Sequence, residues 1–111
     1  MLIYLAMETA MNQLKLDLRK FTKDRNWEQF HSPKNLAMAL SVEVAELVEI
    51  FQWMTEAQSN NVNEFDYENI EDEVGDIMIY LTMIADEFML DPIECAKEKM
   101  KKNIEKYPIK C

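Results

Sequence analysis

The feature that most restricts this chain is how little it contains that can turn a backbone sharply. One glycine, Gly75, and three prolines, Pro33, Pro92 and Pro108, serve 111 residues. An array of short strands needs glycine, proline or asparagine turns at frequent intervals. So few breaks leave long uninterrupted elements, and the expectation is an all-α fold. The length suits one domain, residues 1–111, with a small core, and a 49% hydrophobic content excludes a disordered tail or a collagen-like rod.

Two of the prolines also mark helix starts. Ser32 before Pro33 reads as an N-cap with proline at the first helical position, and Asp91, Pro92 and Glu94 read as a capping box. Apolar spacing then places four helices. The first runs from near Thr9 to Thr22, with Leu14, Leu18 and Phe21 on one face, and a polar-aromatic stretch, Lys23 to His31, follows it. The second carries Leu36, Leu40, Leu47, Phe51 and Met54. Asn60, Asn61 and Asn63 mark a loop, and the third helix then carries Ile70, Val74, Ile77, Leu81, Ile84 and Phe88. The fourth starts at Pro92 and ends before Pro108. The second and third helices are also apolar off their main stripes, at Val42, Val48 and Ile50 and at Met78, Ile79 and Met83. A helix apolar nearly all round is buried nearly all round. Four helices of this size struggle to cover two such elements, so a four-helix bundle-like protomer in a homo-oligomer is expected. Scattered surface methionine and isoleucine on a monomer would look the same in sequence.

The net charge of −9 argues against a nucleic-acid polymer as partner, because phosphate-tracking surfaces carry clustered Lys and Arg. The arrangement of charge says more than the sum. All twelve Lys and Arg lie in residues 15–34 and 97–110, while residues 35–96 hold fifteen Asp and Glu and no basic residue. The apolar opening, Met1 to Met7, lacks a basic start and is too short to span a membrane. Cys95 and Cys111 lack metal-ligand spacing and read as reduced thiols. A soluble cytoplasmic chain is expected, with residues 1–11 as an N-terminal extension and Met7 and Met11 as alternative starts.

Within the acidic middle, Glu43 and Glu46 stand three apart on the second helix, and Glu73 and Asp76 three apart on the third. Each pair shares a helix face. Spacing alone decides little, since an acidic chain produces such pairs by chance and most are solvated. These pairs, however, sit within the most apolar helices, where gathered carboxylates repel one another and lose hydration. An all-oxygen set without Cys or His suits a hard cation, Mg²⁺ or Mn²⁺, which keeps waters and commonly bridges to phosphates. Two turns along, Trp53 lies on the stripe of Glu46 and Tyr80 on that of Glu73. Aromatics there could stack on a base, though at helical spacing they also serve a core. Gly75, inside a helix, costs about 1 kcal/mol relative to alanine and suggests a close approach by a helix or ligand, although a tolerated packing glycine would look the same.

The stretch Arg25-Asn26-Trp27-Glu28-Gln29-Phe30-His31-Ser32-Pro33-Lys34-Asn35-Leu36, then Glu43-Val44-Ala45-Glu46-Leu47 running into Phe51-Gln52-Trp53, resembles the MazG-like, all-α NTP pyrophosphohydrolases, in particular their dCTP pyrophosphatase branch. Glu73-Val74-Gly75-Asp76, Ile79-Tyr80-Leu81, and Lys99-Met100 with Asn103, Tyr107 and Pro108 match later blocks of that family in order. The resemblance covers about Asn12 to Pro108. It implies a four-helix fold assembling as dimers or tetramers, Mg²⁺ held by Glu43, Glu46, Glu73 and Asp76, and hydrolysis of a nucleoside triphosphate to monophosphate and pyrophosphate. It implies that Lys99, Asn103 and Tyr107 meet the phosphates or sugar and that Trp27, Trp53 and Tyr80 line the base and sugar pocket. Lys34, with Lys99, Lys102 and Lys106, would meet the outer phosphates, and Glu46 is the favoured general base. One departure stands out: Leu18 falls where some dCTP-hydrolysing relatives carry a histidine. A same-fold hydrolase of another nucleotide, and a non-catalytic helical module offering its carboxylates to a basic partner, are the rival readings. A di-iron protein needs Glu-x-x-His pairs. The only histidine, His31, lies outside any such pair and reads as a structural or pocket-edge residue.

Overall fold

The computed structural model describes residues 2–110, with side chains from Ala10 onward; Cys111 and the side chains of the expected extension before Ala10 lie outside the described residues. Every described element is helical. Helix α1 (Leu2–Asp24) leads through a 3-10 turn (Glu28–Phe30) to α2 (Pro33–Phe51). The one-turn α3 (Glu56–Ser59) precedes α4 (Glu64–Glu87) and α5 (Pro92–Lys106). The four expected long helices are present. The first begins at Leu2 rather than near Thr9, and the connection after the second helix carries the short α3.

Local chemistry explains the boundaries. The Ser32 hydroxyl accepts the Asn35 N–H at 3.1 Å, with Pro33 opening the helix. Asn63 accepts the Asp66 N–H at 2.8 Å and caps α4. Asp91 caps α5, accepting from the N–H groups of Ile93 and Glu94. The short α3 exists because Thr55 and Gln58 satisfy each other's backbone N–H reciprocally. Helices α1 and α4 end alike, on a residue with positive φ, Asn26 at 55° and Met89 at 57°. Behind these, Trp27 N–H reaches Thr22 O and Leu90 N–H reaches Ala85 O, closing two Schellman turns.

The most extensive packing is between α2 and α4; α1 and α5 rest more lightly on α4. Arg19 holds α1 to α4 by a two-pronged pair with Asp86, at 2.7 and 2.5 Å, and Lys15 donates to Leu90 O at 2.8 Å. Few described side chains are buried: Leu36, Met11 and Ala85, with Thr22 and Thr82. Val42, Val48, Val74, Met78, Leu81, Met100 and Ile104 are instead exposed. The chain presents 9124 Å² of surface, against about 6400 Å² for a folded monomer of its mass. Its radius of gyration is 17.0 Å, where a compact chain of this length has about 13 Å. No described helix is long and apolar enough to cross a membrane.

Candidate functional site

The packing of α2 on α4 brings the acidic pairs together. Carboxylate oxygens of Glu43, Glu73 and Asp76 lie within 4.8 Å of one another; Glu46 is not part of that close set, but its charge raises both Glu43 and Glu73. The cluster is only partly solvated. Oε2 of Glu43 and Oε2 of Glu73 are sealed from solvent and meet no hydrogen-bond donor.

Crowding changes how these groups ionise. The Glu73 carboxyl is pushed up to about 7, first by a proton shared with Glu43, then by burial and by Glu46. Sharing that proton pulls Glu43 the other way, but burial with Glu46 and Asp76 outweighs it and leaves Glu43 raised as well. The residues fit a hard cation: the donors are all oxygens, and two of them are buried and unpartnered.

The remaining expected residues are dispersed in a single chain. Trp27 follows the Schellman turn of α1, which lays its ring edge-on to Phe21 at 5.6 Å and to His31 at 6.4 Å. Trp53, just past the end of α2, is 88% exposed, whereas Tyr80 is half-buried on α4 and Lys34 is exposed in the first turn of α2. On α5, Asn103 is half-buried while Lys99 and Tyr107 are exposed. Among the described residues, no hydrogen bond or ion pair joins these side chains to the carboxylates. Apart from its chain neighbours and the backbone of its own helical turns, Gly75 has no described atom within 4 Å of the position a Cβ would take. The close approach suggested by that glycine is therefore not made inside one described chain.

A second feature was not anticipated. A cavity of about 720 Å³ lies between α1 and α4, bordered by Leu18, Thr22, Thr82, Met83 and His31, with four cations, Lys15, Arg19, Lys20 and Lys23, balanced around it by four carboxylates, Asp24, Glu28, Asp86 and Glu87. It contains none of Glu43, Glu46, Glu73 and Asp76, and of the expected substrate residues it includes only His31. The i, i+4, i+8 spacing of Lys15, Arg19 and Lys23 was its only legible trace in sequence.

Comparison with known proteins adds a family. The MazG-like family model matches residues 38–111. The rat and human proteins named dCTP pyrophosphatase 1 are both 37% identical, over 104 and 103 residues, which is 92% and 91% of this chain and 61% of each relative. The chain thus spans about three fifths of the length of these relatives. A pyrophosphatase from Archaeoglobus fulgidus has a solved structure that superposes with a TM-score of 0.84 at 44% identity, covering 90% of this chain and 94% of that one.

Proposed function

The chain belongs to the MazG-like family, and from that premise we propose that it is a Mg²⁺-dependent nucleoside triphosphate pyrophosphohydrolase. Its substrate is dCTP or a related deoxynucleoside triphosphate, and its products are the monophosphate and pyrophosphate. The observation that carries this reading is the carboxylate cluster with two sealed, unpartnered oxygens. The dCTP pyrophosphatases and the archaeal pyrophosphatase among its relatives support the substrate class.

Glu43, Glu73 and Asp76, with Glu46, would hold the cation, which when bound supplies positive charge beside the α-phosphoryl group and acidifies water. Glu46 accepts the proton from the attacking water. The water oxygen bonds to the α-phosphorus as the bond to the bridging oxygen breaks, so pyrophosphate leaves with that electron pair. Lys34, Lys99, Lys102 and Lys106 offset the charge of the outer phosphates. Trp27, Trp53 and Tyr80 line the base and sugar pocket with His31 at its edge, and Asn103 and Tyr107, with Lys99, meet the phosphates or sugar. Catalysis is then largely positioning and charge neutralisation, as is general for phosphoryl transfer.

The working form is a homo-oligomer, a dimer or tetramer. The exposed apolar residues of α2 and α4, and a surface far larger than a monomer of this mass presents, support a second copy as their cover. The setting is cytoplasmic, where Cys95 remains a free thiol.

The test is product analysis: purified protein with Mg²⁺, then with Mn²⁺, against each canonical and deoxy triphosphate, with products resolved by chromatography. Monophosphate and pyrophosphate are expected, and Glu73→Gln should abolish their formation while the helical circular dichroism is retained. Diphosphate with phosphate, no turnover across the panel, or full activity in Glu73→Gln would each overturn the assignment.

A further inference from the structure

We propose that Arg19 is a positioning residue for the nucleotide: through its two-pronged pair with Asp86 it holds α1 at one height and roll on α4, and so sets where Trp27 stands relative to the carboxylates of Glu73 and Asp76. This rests on the reading above in which Trp27 lines the base and sugar pocket.

The connection runs along rigid elements. Asp86 lies near the end of α4, the helix that also carries Glu73 and Asp76, and stands ten positions beyond Asp76, about 15 Å along the axis. Arg19 reaches Asp86 from α1 at 2.7 and 2.5 Å. Trp27 is attached to the end of that same α1. Its N–H bonds to Thr22 O at 2.9 Å, and its ring stands edge-on to Phe21 at 5.6 Å. Phe21 is steadied in turn by the Arg25 guanidinium, 3.6 Å from its ring centre. A shift of α1 therefore carries Phe21 and Trp27 with it, while Glu73 and Asp76 stay with α4.

That placement depends on Arg19 because little else fixes α1. Of the described ion pairs this one joins two helices, whereas Lys20–Asp24, Lys97–Glu94 and Lys101–Glu98 each lie within one. The Asp86 side chain is only 19% exposed, and two prongs fix direction as well as distance. The guanidinium also holds the Asp86 carboxyl below its usual range. Close packing does not do the same work: the 720 Å³ cavity separates this part of α1 from α4, with Arg19 and Asp86 both at its border. The Thr22 hydroxyl turns back onto Leu18 O and Arg19 O rather than across to α4. Lys15 adds a second tie, to Leu90 O at 2.8 Å, but one ammonium on one carbonyl leaves a helix free to roll about it. On its other side Trp27 is followed by a connection that α2 anchors at Phe30 O, through Asn35 at 3.0 Å. The ring itself is 44% exposed, so burial does not pin it.

Arg19→Gln, Asp86→Asn and the double variant test this, with kcat and KM measured for the triphosphate that the wild type hydrolyses best. The inhibition constant of pyrophosphate, a product without a base, is measured beside them. The base lies away from the reacting phosphorus and is held alike before and during the reaction, so a displaced Trp27 weakens binding without slowing the chemistry. In each single variant KM should rise about tenfold, the scale of one charge-assisted hydrogen bond, with kcat within about twofold of wild type and the pyrophosphate constant unchanged. The double variant should match the single ones, because the two residues act as one unit. Additive losses in the double variant, or pyrophosphate weakened as much as the nucleotide, overturn the positioning role. A wild type that turns over while both single variants keep its KM overturns this proposal alone. A wild type that hydrolyses no triphosphate sinks the function reading, and this one with it.

Discussion

At the scale of single residues, the proposed chemistry turns on Oε2 of Glu43 and Oε2 of Glu73, buried without donors. The raised Glu73 carboxyl makes this measurable. Its ordinary value is 4.5 and in the fold it stands at about 7. Between those values the folded, cation-free chain keeps a proton that the unfolded chain has released, so stability falls as pH rises through the window and levels off above about 7. Glu43, raised as well, adds in the same direction. Urea midpoints in chelator, taken at pH 5 and pH 8, should therefore decline, and Glu73→Gln should shrink the decline. An unchanged decline in that variant would remove Glu73 from the account. If Mg²⁺ binds at these carboxylates as proposed, it must expel the same proton, so its affinity should climb with pH over this range. Calorimetry in buffers of different ionisation heat reads that release directly.

At the scale of elements, the Schellman turn closing α4 places Met89 at φ 57°, where an L side chain is strained, and leaves it 93% exposed. Met89→Gly removes the strain and loses no packing, so it should stabilise the chain by roughly 0.5–1 kcal/mol, seen as a higher urea midpoint at unchanged slope. The matching turn at Asn26 uses a residue that tolerates this region. Ser32, Pro33, Asp91 and Pro92 were legible in sequence because a cap is a local event, settled within four residues. The start of α1 and the short α3 were less so, one because its residues carry no cap signal and the other because Thr55 and Gln58 make a cap too short to leave an apolar stripe. The four acidic residues were legible as two pairs on two helices. Their meeting was implied only by the family resemblance, since helical spacing does not say how α2 and α4 slide past each other. The cavity was hidden for the same reason: Leu18 and Thr82 lie on helices far apart in sequence, and Thr82 in isolation is an ordinary helical residue.

At the scale of the molecule, the described core is slight beside the surface left open. If a second copy covers Val42, Val48, Val74 and Met78, the melting temperature should rise with protein concentration. Val74→Asp should then lower the mass seen by light scattering and melt earlier. A concentration-independent melt at monomer mass would remove the oligomer. The same imbalance has a consequence in time. A protomer that cannot cover its own apolar faces has little folded form in which to wait, so refolding after dilution from denaturant should slow in proportion as the solution is thinned, a second-order process. A newly made chain would then depend on meeting its neighbour before something else binds the same oily surface, and in a cell holding two variants of it, a defective copy would be built into the same particles as the sound one.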